Sequence, residues 1–200
     1  MIRVCLSLIV SVTLCHVMSG QLQADPPEKG FVSLFDGKSL DGWEIMNGGM
    51  FSVENDVIKL DRGRGWLRSD KQYKDFVLKL ELRFLKKNQD SGVFLRASKE
   101  GGNWPKKRYE VQCHNNKSMS RIFGAAHKRD EKKVAELLKE TEEWNSYEIT
   151  LVGNKLEVKL NGELVTTSDK ISRDEPGYIG LQGEGGALEF RNIRIKELAK

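Results

Sequence analysis

An acid, a carboxamide and an imidazole alternate with apolar residues in Tyr109-Glu110-Val111-Gln112-Cys113-His114. In a strand, side chains two apart share a face and stand about 7 Å from one another. Glu110, Gln112 and His114 would then form one polar strip, with Tyr109, Val111 and Cys113 turned to a core. Such a strip can bind a polyol, because carboxylates and carboxamides trade hydrogen bonds with hydroxyls and an acid or imidazole can move a proton. A solvent-facing edge strand would read the same way. Other polar residues stand at comparable places. Arg96 ends the apolar run Gly92-Val93-Phe94-Leu95, where a structural ion pair competes with ligand contact. Gln182 with nearby Glu184, and Arg191 in the next run, interrupt the strand-like segments near the end of the chain. Trp144 suits either sugar stacking or core packing, and His127 either a structural or a catalytic role.

The elements that must position these residues are mainly strands. Period-2 alternation and turn residues predict strands at 31–35, 50–54, 57–61, 65–69, 75–86, 91–98, 108–114, 121–126, 145–152, 155–160, 163–167, 177–183 and 187–197. Asn55-Asp56 and Gly153-Asn154 read as turns. Asn161-Gly162 is the strongest hairpin signal, since both central positions of a type I′ turn need positive φ. Many short strands joined in this way predict an all-β antiparallel sandwich or jelly roll. One segment departs from the pattern: residues 130–140 place Val134, Leu137 and Leu138 at helical spacing, which predicts a short amphipathic surface helix.

Two hundred residues suit one domain with a substantial core. Arg3 followed by an apolar run to Val17, with Ser19, Gly20 and Ala24 beyond, reads as a secretory signal over 1–24, cleaved after Gly20 or Ala24. Residues 25–30 then form a linker and 31–200 the domain, placed outside the cell or in a periplasm. Cleavage removes Cys5 and Cys15 and leaves Cys113 alone, so export here does not imply a disulfide. The formal charge of +4 is scattered among acids. Lys106-Lys107-Arg108 is too short a cluster for a nucleic-acid surface, and no membrane contact is expected beyond the signal. Oligomeric state is not read from the sequence.

Phosphate-binding glycine loops, nucleophile elbows, His-Glu-x-x-His and paired Cys-x-x-Cys motifs are absent. Six segments in order do resemble the 3-keto-disaccharide hydrolase domains, also described as 3-keto-glucoside 1,2-lyase/3-keto-2-hydroxy-glucal hydratase domains. They are Leu34-Phe35-Asp36-Gly37 through Gly42-Trp43, Ser91 to Arg96, Tyr109 to Gln112, Glu143 to Ile149, Asn161-Gly162, and Gly180-Leu181-Gln182 with Phe190 to Ile193. The resemblance implies a concanavalin A-like jelly roll with a polar concave face. It maps that face onto Arg96, Glu110, Gln112, Gln182 and Arg191, with Trp144 at the start of a strand. The chain departs from the family pattern at Asp90, Asn115, Glu184 and Gly124 to His127. The implied reaction acts on a sugar oxidised at C3. A base, Glu110 or His127, takes the C2 proton, C1 expels its leaving group, and water adds back. Arg96, Gln112, His114, Trp144, Gln182, Glu184 and Arg191 would bind substrate. A divalent metal could assist, although no ligand spacing marks one. Ordinary glycoside hydrolysis needs two flanking carboxylates, and this strand supplies only Glu110. The alternative is a non-catalytic carbohydrate-binding module using the same face. A purely structural domain would leave Glu110, Gln112 and Gln182 apart.

Overall fold

The computed structural model describes residues 28–116 and 118–198, so the expected signal at 1–24 lies outside the described residues. In chain order the elements are β1 (Val32–Ser33), β2 (Trp43–Met46), β3 (Met50–Glu54), β4 (Val57–Arg62), β5 (Arg64–Tyr73), β6 (Phe76–Phe84), β7 (Asp90–Ala97) and β8 (Tyr109–His114). There follow β9 (Ile122–Phe123), β10 (Lys128–Arg129), α1 (Glu131–Leu137), β11 (Asn145–Val152), β12 (Lys155–Leu160), β13 (Glu163–Ser168), β14 (Gly177–Glu184) and β15 (Leu188–Glu197). They make two antiparallel sheets. One runs β10-β13-β12-β11-β6-β15-β4-β3 with β1 added to β15, and the other runs β2-β5-β14-β7-β8-β9.

Alternation explains the layering. On β6, Phe76, Leu78, Leu80, Leu82 and Phe84 are buried, while Val77, Lys79, Glu81 and Arg83 face outward. From the six-stranded sheet, Leu67, Val93, Val111 and Leu181 meet them in one core. Each such side chain contributes roughly 1.5–3 kcal/mol by leaving water. Cys113 lies wholly inside this core, and burial pushes its thiol well above its usual pKa. The expected all-β sandwich with one short helix is therefore the observed architecture.

The turns obey the predicted chemistry. Asn161 and Gly162 have φ of 50° and 90° and join β12 to β13 through the Leu160–Glu163 pair. The helix starts where Asp130 accepts the Lys133 amide at 3.0 Å. It stops before the expected residue 140, because Leu138 is extended and Asn145 Oδ1 captures the Lys139 amide at 3.1 Å. The expected 121–126 strand shrinks to two residues, ended by Gly124 at φ 93°. Two short edge strands, β2 and β10, were not expected. Residues 28–30 of the expected linker are in contact with the domain: Glu28 pairs with Lys79 at 2.7 Å.

A second, smaller apolar cluster lies on the other side of the six-stranded sheet. Trp66, Phe94 and Ala97 pack there with Met46, Trp104 and Tyr178. The segment between β7 and β8 folds across this cluster. Asn47 Nδ2 donates to the Gly102 carbonyl at 2.6 Å, and Trp104 Nε1 reaches the Gly183 carbonyl at 3.4 Å.

Candidate active site

Register assembles the outer face of the six-stranded sheet into three rows. Residues opposite one another on neighbouring strands share a face. Phe123, Glu110, Phe94 and Gly180 form one row. Gln112, Gly92, Gln182 and Trp66 form the second, and His114, Asp90, Glu184 and Arg64 the third. Glu110, Gln112 and Gln182 thus converge, the two carboxamides lying two strand spacings apart, about 10 Å. A structural domain would not require this.

Glycine makes room for the acid. A Cβ on Gly92 would come within 2.8 Å of both Cγ and Oε1 of Glu110, so the Glu110 side chain lies across that glycine. Glu110 Oε2 accepts from Arg108 Nε at 3.1 Å, and Arg108 is anchored in turn to the Pro105 carbonyl at 2.9 Å. Only 5% of the Glu110 side chain is exposed. Burial raises its carboxyl pKa, and nearby Asp90 and Glu184 add to the rise. Arg108 opposes it without cancelling it.

The third row is a linked set. One Asp90 oxygen accepts from Gln112 Nε2, and the other lies 3.6 Å from His114 Nδ1. Asn116 Nδ2 donates to His114 Nε2 at 2.9 Å, which puts the imidazole proton on Nδ1, facing Asp90. Glu184 accepts from Gln182 Nε2 at 3.0 Å. Burial raises the carboxyl pKa of Asp90, and burial together with the charge of Asp90 raises that of Glu184. The buried Gln182 Oε1 and Trp66 Nε1, on cross-strand neighbours, have no partner among the described residues. No three His, Cys, Asp or Glu side chains among the described residues are grouped to hold a metal ion. Asp90 and His114 alone do not make a ligand set.

Residues 30–196 match the family model of the 3-keto-alpha-glucoside-1,2-lyase-like domain. The chain belongs to this family. Among solved structures, this lyase-like domain is similar to two proteins of Parabacteroides distasonis provisionally described as glycosyl hydrolases. One is 23% identical with a TM-score of 0.69, over 84% of this chain and 99% of that one. The other is 21% identical with a TM-score of 0.66, over 85% and 94%. The carbohydrate-binding module CBM66 of Bacillus subtilis follows at 15% identity and a TM-score of 0.61, over 78% and 96%. At these identities the likeness is one of fold. No curated protein matched the chain.

Within the lyase-like domain, four residues expected at the face lie elsewhere. Arg96 sits at a bulge with φ 44°, which turns its side chain away from the face and leaves it wholly buried. It donates to the carbonyls of Lys74, Gly153 and Arg173 and pairs with Asp75 at 3.1 Å, so its role is structural. Arg191 and Trp144 lie on the outer side of the nine-stranded sheet, across the core from Glu110. There the Arg191 guanidinium stacks 4.0 Å from the Trp144 ring centroid and pairs with Glu81 at 2.7 Å. His127 lies in the crossover from β9 to β10, donating from Nδ1 to the Ala125 carbonyl at 3.1 Å. No contact among the described residues links it to Glu110. Glu110, Gln112, His114, Gln182 and Glu184 do share the face.

The sequence reading missed Asp90, Arg108 and Trp104 as site residues. Asp90 was legible only with the register in hand, because the antiparallel pairing that sets Phe94 opposite Glu110 also sets Asp90 opposite His114. Trp104 stands in an aperiodic Gly-Gly-Asn-Trp-Pro loop, and only tertiary packing brings it over β14.

Proposed function

We propose that this domain is an exported carbohydrate-active enzyme that cleaves 3-keto-glucosides or 3-keto-disaccharides by elimination and hydration. The observation that carries the reading is Glu110. It is a nearly buried carboxyl with a raised pKa, seated over Gly92 and flanked by two carboxamides and two further acids. Membership of a family described as 3-keto-alpha-glucoside-1,2-lyase-like supports the same chemistry.

The C3 ketone acidifies the C2 proton, and Glu110 as carboxylate takes it. The electron pair passes to the C3 oxygen as an enolate, beside which Arg108 is the cation hydrogen-bonded to the base. As the ketone re-forms, C1 and C2 become doubly bonded and the C1–O bond breaks. The departing oxygen takes a proton from an acid of the third row, Glu184 or the Asp90–His114 pair, whose raised carboxyl pKa values suit proton donation. Water then adds, hydroxyl to C1 and hydrogen to C2. Gln112 and Gln182 bind hydroxyls, and a ligand hydroxyl would satisfy the unpartnered Gln182 Oε1.

The test is release of aglycone from a 3-keto-glucoside by the mature protein. Glu110→Gln is expected to lower turnover by at least about 100-fold, the usual contribution of a positioned base. Undiminished turnover would remove Glu110 from the chemistry. A chelator arm in the same assay reports any metal dependence. The second reading, a lectin-like module, draws on the carboxamides and on the fold shared with CBM66. Binding of unoxidised glucosides without turnover of keto-sugars would establish it instead.

A further inference from the structure

The last strand beside Glu110 presents an aromatic ring that the fold does not use. Phe123 on β9 is the cross-strand partner of Glu110. Its neighbour Ile122 is buried in the core, so alternation turns Phe123 to the outer face. Opposed side chains on such a pair stand about 4.5–5.5 Å apart at Cβ. Phe123 remains 44% exposed beside an acid that is nearly buried. Among the described residues no strand lies beyond β9 in its sheet, so the ring stands at the open edge beside Glu110.

A pyranose has two unlike surfaces: hydroxyls around its edge and a patch of C–H bonds on its face. The carboxamides and acids of the rows suit the edge. An exposed ring suits the C–H face, as aromatic walls do in ligand sites that combine apolar area with a few placed polar groups. Trp104, over Gly183 on β14, stands on the other side of the slot. Three strand spacings, about 14 Å, separate β14 from β9.

We infer that Phe123 is the stacking platform for the substrate pyranose, holding its C2–H toward Glu110. This rests on the reading above that the face accepts a glucoside. Titration calorimetry and kinetics with a 3-keto-glucoside and its unoxidised parent test it, using wild type, Phe123→Ala, Phe123→Leu and Phe123→Trp. Phe123→Ala is expected to weaken binding and raise KM by about 2- to 12-fold, the scale of an aromatic contact. Its kcat should fall as well, because the ring orients C2–H toward Glu110, and its Tm should not change, because the ring lies outside the core. Phe123→Trp should restore affinity and Phe123→Leu should not. Wild-type affinity in Phe123→Ala, or rescue by Leu equal to that by Trp, overturns the inference. A wild type that binds the keto-sugar without turning it over ends the enzymatic reading alone, and the Phe123→Ala titration still decides this one. A wild type that binds neither sugar overturns both.

Discussion

Gly92 shows how little separates a base from an ordinary buried acid. Its backbone is compatible with alanine, yet a methyl group there would meet Glu110 at 2.8 Å. Gly92→Ala should therefore push the carboxyl out of its slot and lower kcat by about 10- to 100-fold, the cost of misplacing a reacting group by an ångström or less. The double variant Gly92→Ala/Glu110→Gln should be no slower than Glu110→Gln alone, since the glycine acts through the acid. Additive losses in the double variant would mean that Gly92 serves something else. At this scale the sequence was informative where strand alternation ruled. Glu110, Gln112, His114, Gln182 and Glu184 were placed on a shared face from their spacing and the family resemblance. It failed where alternation is broken. Arg96 sits at a bulge, which reverses the facing of every residue beyond it, and no feature of Phe94-Leu95-Arg96-Ala97 announces the positive φ. Arg191 and Trp144 were polar and aromatic at the right local positions but on the wrong sheet, a distinction that strand order decides and local pattern does not.

The bulge in β7 gives Arg96 its real task, which is to tie elements together. Its guanidinium gathers the end of β5, the β11–β12 turn and the segment before β14 through three carbonyls and Asp75, and Asp75 also accepts the Gly153 amide at 2.8 Å. Arg96→Met would leave these carbonyls buried without their donor, and Asp75 with the Gly153 amide but no cation. The expected loss is about 3–5 kcal/mol, as for removing one partner of a buried pair, measured by chemical denaturation. A loss below about 1 kcal/mol would show that the segments close without it. Among the elements, long alternating strands and the Asn161-Gly162 hairpin were readable because their signals are local. The two- to four-residue edge strands β2 and β10 were not, since such short segments depend on a neighbour's hydrogen bonds rather than on their own pattern.

For the molecule as a whole, three acids with raised folded-state pKa values share one face: Glu110, Asp90 and Glu184. Above the ordinary carboxylate range the unfolded chain has released protons that the folded form still holds. Their contribution is therefore full at low pH and is lost as pH rises through the raised values. Glu110→Gln should consequently raise Tm near neutral pH. The gain should vanish below about pH 4, where the acid is already neutral. A lower Tm at pH 7 would mean that the Arg108 contact outweighs burial. The same shift puts the acid limb of the kcat/KM profile above the ordinary glutamate pKa of 4.5. Cys113 carries a last consequence. It is the one cysteine among the described residues, sealed between the sheets with its thiol held protonated. A thiol reagent can reach it only when the two sheets part, so its slow labelling in native buffer times the opening of the entire sandwich without any engineered probe.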